Sequence, residues 1–267
     1  MDKKQFLKLT ENPDFIRGIF NYCDRWCERC GFTRRCSVYA AEREAFPEQE
    51  ARDQANERFW ERVHETFELT LELLRDAARE RGVDLTAEVP GDQKGNQEAR
   101  KHDVRENPLV KGARDYSDMV SQWLTAHEDG FEEEGRKMRM EEELGIGDPH
   151  LAASAILDAV EVIRWYQYQI MVKLMRALNS EELNMDSETN QEIDEFPKDS
   201  DGSAKVALIG IDRSIGAWGT LRYHFESATD SITHTLVYLD RLRSDIEARF
   251  PEARRFVRSG FDQEILH

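Results

Sequence analysis

Apolar residues return every three or four positions over four long stretches of this chain, a 3.6-residue period that commits it to packed helices. From Pro47 to about Gly82 the stripe is Trp60, Val63, Phe67, Leu71, Leu74 and Ala78. Leu109 to about Leu144 begins with Ala113, Tyr116, Val120, Trp123 and His127 and then becomes a charged extension. The third stretch, to about Leu178, has two adjoining apolar sides, one with Ile156, Val160, Ile163, Ile170 and Leu174, the other with Leu157, Tyr168, Met171, Met175 and Leu178. Such a helix belongs at the centre of its bundle. The longest pattern, Ala204 to Phe250, runs through Leu208, Ile211, Ile215, Trp218, Phe225, Ile232, Leu239, Leu242 and Ile246 until Pro251 stops it. Asn12 with Pro13, and Asp148 with Pro149, pair an N-cap residue with a proline at the first helical position, where its missing N–H has no helical partner to lose. No alternating β-branched run stands out, because the one candidate, KVALIGI, continues into a helical period. The expected fold is all-α, a long-helix bundle of the four-helix type preceded by a small cysteine-bearing helical cap.

The expected boundaries are residues 1–46 for that N-terminal cap, with short helices from Asp14 to Cys27 and from Arg34 to Phe46, then 47–250 for the bundle and 251–267 for a tail. Inside the bundle, residues 83–108 are rich in Gly, Pro, Asn and charge, and residues 179–203 are acidic. Both read as exposed loops. Asn179 to Gly202 holds nine acids against one lysine, a composition that does not support packing by itself.

The only four cysteines are Cys23, Cys27, Cys30 and Cys36, spaced C-x3-C-x2-C-x5-C as CDRWCERCGFTRRC. The stretch MDKKQFLKLTENPDF has no apolar core of a signal peptide, and no window approaches eighteen consecutive apolar residues. The expectation is a cytoplasmic protein with no membrane span. In a reducing compartment, thiols this closely spaced point to a metal rather than to disulfides. The chain carries a formal charge of −17, which disfavours nucleic acid and anionic lipid as partners. The cysteine segment is the exception: Arg17, Arg25, Arg29, Arg34 and Arg35 face only Asp24 and Glu28. That sign suits a four-thiolate centre, whose zinc or [4Fe–4S] form keeps about two net negative charges.

The first three cysteines share the C-x3-C-x2-C spacing of radical-SAM enzymes, but a fourth thiolate would fill the iron site that SAM needs, and the strand-rich barrel is missing. The second half, Cys27-x2-Cys30-x-Phe32-x3-Cys36, resembles the cysteine staple of [4Fe–4S] nucleases of the AddAB and CRISPR-associated type, where an aromatic residue follows the middle cysteine in the same way. The resemblance implies a cluster; the carboxylate- and lysine-bearing sheet of those nucleases has no counterpart here, so DNA cleavage is not carried over. As a whole the chain also resembles bacterial proteins of no assigned function with a CDRWCERC-type segment and an FVRSGFD-like tail, here Phe256 to Asp262. Ligand geometry points the same way. Four-thiolate zinc sites usually join two C-x2-C knuckles, whereas one tight segment reaches the corners of a cubane more readily. Trp26 and Phe32 are placed to exclude solvent from it. The cofactor expected first is therefore a [4Fe–4S] cluster, with Zn²⁺ as the alternative.

A second site is expected only if Glu61 and His64, the one E-x-x-H inside a long helix, belong to a di-metal centre of ferritin-like type; the other match, Glu264 with His267, sits in the frayed C-terminus. Asp230 and His234 read as a surface pair. Glu161 with Arg164 and Asp212 with Arg213 interrupt apolar helices and are expected to pair across them. His127 and His224 read as hydrogen-bonded core histidines, and Trp165, Tyr166 and Tyr168 as packing. No P-loop, dinucleotide fingerprint, nucleophile elbow or kinase signature is present, so whether the chain is an enzyme stays undecided. The function expected from the sequence is electron transfer, redox sensing or interaction through the cluster. A zinc-stapled adaptor and a di-metal oxidase-type bundle are the alternatives. The partner is a protein or redox partner left unnamed, and homo-oligomerisation stays open.

Overall fold

The computed structural model describes residues 12–46, 57–83, 104–185 and 198–262. Met1–Lys94 with Arg258–His267 make one compact unit and Gly95–Val257 the other, a division at 94/95 rather than at the 46/47 boundary expected from the cysteine segment. The fold is all-α, and among the described residues there is no strand. KVALIGI lies inside a helix, as its period required.

The second unit is a four-helix bundle made from α3 (Pro108–Ala126), α5 (Pro149–Met185), α6 (Asp199–His224) and α7 (Thr229–Arg249). Each packs on two of the others, α5 on α6, α6 on α7, α7 on α3 and α3 on α5, which closes the ring. The short α4 (Glu128–Leu144) lies against α5. Start signals work as local chemistry dictates: the Asn107 side chain accepts from Leu109 N (3.0 Å) ahead of Pro108, and Asp148 Oδ1 accepts from Leu151 N (3.0 Å) ahead of Pro149. Gly145, at φ 67°, ends α4 with Ile146 N bonded to Glu141 O and Gly145 N to Glu142 O.

Three expectations about this unit are corrected. The single helix expected from Ala204 to Phe250 is two, because Phe225 leaves helical geometry (φ −112°, ψ 75°) and a 3-10 turn, Glu226–Ala228, starts α7. Phe225 is buried against Phe131 (ring centroids 4.7 Å) and Trp123 (6.1 Å), so aromatic burial sets the break where no glycine or proline marks it. Likewise His127 separates α3 from α4, its Nδ1 2.8 Å from the Trp123 carbonyl and its ring stacked on Trp123 at 4.3 Å. The acidic segment 179–203 is helical over 179–185 and again from Asp199. Two of its described acids are partnered: Arg176 and the Ser180 hydroxyl both donate to Asp199 (2.6 Å each), and Arg249 pairs with Glu181 (2.6 Å).

The expected cross-helix charge pairs also differ. Glu161 and Arg164 are exposed, while Asp212 takes Arg254 (2.5 Å) and Arg243 (3.5 Å) at the bundle surface. Arg213 donates to the Tyr166 hydroxyl. A polar chain does enter the core: Trp218 Nε1 donates to the Tyr116 hydroxyl (3.2 Å), and Ser214 lies close enough to favour the phenolate while falling short of hydrogen-bond geometry. Burial outweighs both and pushes the Tyr116 hydroxyl up to about 12. The unfolded phenol ionises near pH ~10, so the stabilisation is complete below that pH and is lost as pH rises from about 10 to about 12, roughly 3 kcal/mol in all. Urea unfolding across that window is expected to fall more steeply for the wild type than for Tyr116→Phe; equal slopes would remove Tyr116 as the cause.

In the first unit, α1 (Ser37–Ala45) follows the cysteine segment and α2 (Glu57–Glu80) is the helix expected from Pro47, whose residues 47–56 lie outside the described ones. Its stripe is not a core face. Ala78 is buried, but Phe67 is 59% and Leu74 52% exposed, and the side chains of Trp60 and Val63 lie outside the described residues. No helix among the described residues is long and apolar enough to cross a membrane.

Candidate metal centre

The helix expected from Asp14 to Cys27 is replaced by a series of turns. The Asn12 side chain accepts from Asp14 N (2.9 Å) instead of capping a helix, and Gly18 (φ 72°) and Arg25 (φ 58°) are both left-handed. For a non-glycine residue such as Arg25 that conformation costs of order 1 kcal/mol or more. The path continues through 3-10 turns at Cys27–Arg29 and Thr33–Arg35, and Ile16 N bonds to Arg35 O (2.9 Å), which closes the segment on itself.

This folding brings all four cysteines to one cavity of about 320 Å³, part of it open to solvent. Cys23, Cys27, Cys30 and Cys36 are each half-buried and line it with Phe20, Trp26, Phe32, Tyr39 and Phe261. Trp26 and Phe32, the aromatics expected to exclude solvent, are therefore in its wall. Trp26 is held by its N–H to Asp24 Oδ1 (3.2 Å) and by the Arg29 guanidinium over its ring at 4.1 Å. Phe32 N donates to Cys30 Sγ (3.4 Å), a bond that would also favour a thiolate there, and the Cys23 thiol lies 3.5 Å from the Phe20 carbonyl it donates to. All five arginines of the segment are exposed, with Arg25 at the cavity itself.

The thiols sense one another. Burial pushes Cys27 up to about 11, reinforced by Glu42, Cys23, Glu28 and Cys30. Burial also raises Cys30, opposed by the Phe32 N–H and assisted by Asp24, Cys23 and Cys36. Both shifts favour the protonated Cys27 and Cys30, and a cation binding them must displace those protons. Among the described residues no three His, Cys, Asp or Glu side chains are placed to hold a single metal ion. The donor set itself, four soft sulfurs on one cavity, fits a thiolate-bound centre.

Elsewhere the expected sites are not assembled. Glu61 and His64 are both exposed on α2, and among the described residues no third ligand joins them; Glu264 and His267 lie outside the described residues. Asp230 and His234 are exposed on α7. The wall aromatics missed by sequence reasoning are Phe20, Tyr39 and Phe261, of which Phe261 is the one distant in sequence. Its signal was the FVRSGFD tail, which carries no metal-ligand pattern of its own. No family model, curated protein or solved structure matches this chain.

Proposed function

We propose that this is an iron–sulfur protein in which Cys23, Cys27, Cys30 and Cys36 hold a [4Fe–4S] cluster that serves electron transfer, redox sensing or interaction with a protein partner. The observation that carries the reading is the convergence of the chain's only four cysteines on one aromatic-walled cavity. A single Zn²⁺ needs its four sulfurs about 2.3 Å from one point, whereas a cubane takes one thiolate on each of four irons. Four thiols from one tight segment, spread around a cavity wall, reach the corners of a cubane more readily than they make the two facing knuckles usual for zinc. When bound, the cluster supplies one-electron redox chemistry. The chain's residues would do the rest: the Phe32 N–H stabilises the Cys30 sulfur, Trp26 and Phe32 exclude water, and the exposed arginines offset the negative charge. The nuclease-type staple resemblance and a reducing cytoplasmic location agree with this.

A zinc staple without redox chemistry is the second reading, because Ile19 (3% exposed) and Trp26 (4%) are the only buried side chains described in residues 12–46. A segment with so little core needs a crosslink of either kind. Anaerobic purification decides between them. A brown protein with about four iron and four acid-labile sulfide per chain is expected; a colourless preparation with one zinc per chain would overturn the cluster.

A further inference from the structure

We infer that the turn at residues 258–262 is a lid on the cysteine cavity, with Phe261 as the wall that limits access to the thiols and Gly260 as the residue that lets the turn seat. What the lid protects rests on the metal reading above; the occlusion itself does not.

Phe261 lies far along the chain from the cysteines yet lines their cavity. Its ring meets Phe32 edge-on, centroids 5.1 Å apart at 74°, and Phe32 is the residue whose N–H bonds the Cys30 sulfur. The contact therefore reaches the orientation of a thiol as well as its exposure to water. The turn is clamped from within. Asp262 accepts from the Arg258 backbone N (3.0 Å), Nε (3.0 Å) and Nη2 (2.9 Å), and the same guanidinium lies 4.9 Å from the Phe261 ring centre. Phe261 N and Asp262 N both bond to Arg258 O (3.2 and 3.1 Å). The Arg258 and Asp262 side chains are 15% and 22% exposed, so the ion pair is partly shielded from screening.

Gly260 joins this clamp to the floor of the cavity. It is buried at φ 79°, and a Cβ there would lie 2.9 Å from Ile19 Cδ1 and 3.0 Å from Ile16 Cδ1. Conformation and space both require glycine, and Ile19 itself lines the cavity. A turn that served only as a connection would need neither the close approach nor an aromatic side chain in the cavity wall.

The test is alkylation of the protein as purified anaerobically, with its metal in place, by a bulky maleimide, in a graded series Phe261→Leu, Phe261→Val and Phe261→Ala. Thiol reactivity follows access once thiolate content is matched. Labelling of the cavity cysteines is expected to rise with the volume removed, to roughly tenfold for the Ala variant and little for Leu, while hydrogen exchange of residues 12–46 stays at the wild-type level. Unchanged labelling in the Ala variant overturns the lid. So does a rise that appears only together with lost protection of 12–46, because the turn would then hold the fold and not the access. The series reads access whichever metal is bound, so a colourless zinc protein would refute the cluster and leave this result standing. The same series should lose metal to a chelator in the same order.

Discussion

Cys27→Ser combined with Cys30→Ser is expected to give a protein that retains no iron and no ordered cysteine segment, with a helical bundle that still melts where the wild type does. Two buried side chains, Ile19 and Trp26, contribute roughly 3–6 kcal/mol between them. Four-thiolate coordination contributes on the order of 10 kcal/mol or more when the apo segment is unfolded. On the metal reading proposed above, coordination outweighs burial and the segment follows the metal. The bundle belongs to the other compact unit and has its own core. Hydrogen exchange of residues 12–46 and of α5 in the same sample checks both halves. Protection of 12–46 that survives the double substitution would show that the turns hold without a crosslink.

Trp218→Ala should be the most destabilising single change in the bundle. The side chain is fully buried, packs edge-on to Trp123 at 4.9 Å and donates to the buried Tyr116 hydroxyl. Truncating a buried tryptophan costs about 3–5 kcal/mol through lost transfer and the cavity left behind. It also strips Tyr116 of the donor that reaches it from Trp218. A fall in Tm of about 10 °C or more follows for a unit of this size. Trp218→Phe keeps most of the ring volume and should recover more than half of the loss. A cost below about 1 kcal/mol in denaturant unfolding would mean that α3 and α6 are not packed through this pair.

The helix starts were legible because capping is local. Asn107 and Asp148 bond to backbone N–H groups two and three residues away, and the following proline tolerates that position. The break at Phe225 was not, because Trp218, Phe225 and Ile232 keep the helical period straight through it. Nor was the order in 179–185 and from Asp199 legible, since so acidic a stretch looks unpackable until Arg176 is placed beside Asp199 and Arg249 beside Glu181.

At the cysteines the same division holds. The donor set, its basic flank and the helical class of the chain are properties of composition and spacing within a few residues, and the sequence by itself determined them. The tertiary structure alone decided that the stripe of α2 leaves Phe67 and Leu74 exposed and that Asp212 pairs with Arg254 at the bundle surface. It alone placed Phe261 on the wall of the thiol cavity. Period, caps and ligand spacing are set by neighbours along the backbone, whereas a wall, a bend or an ion pair depends on which distant residue fills the adjoining space.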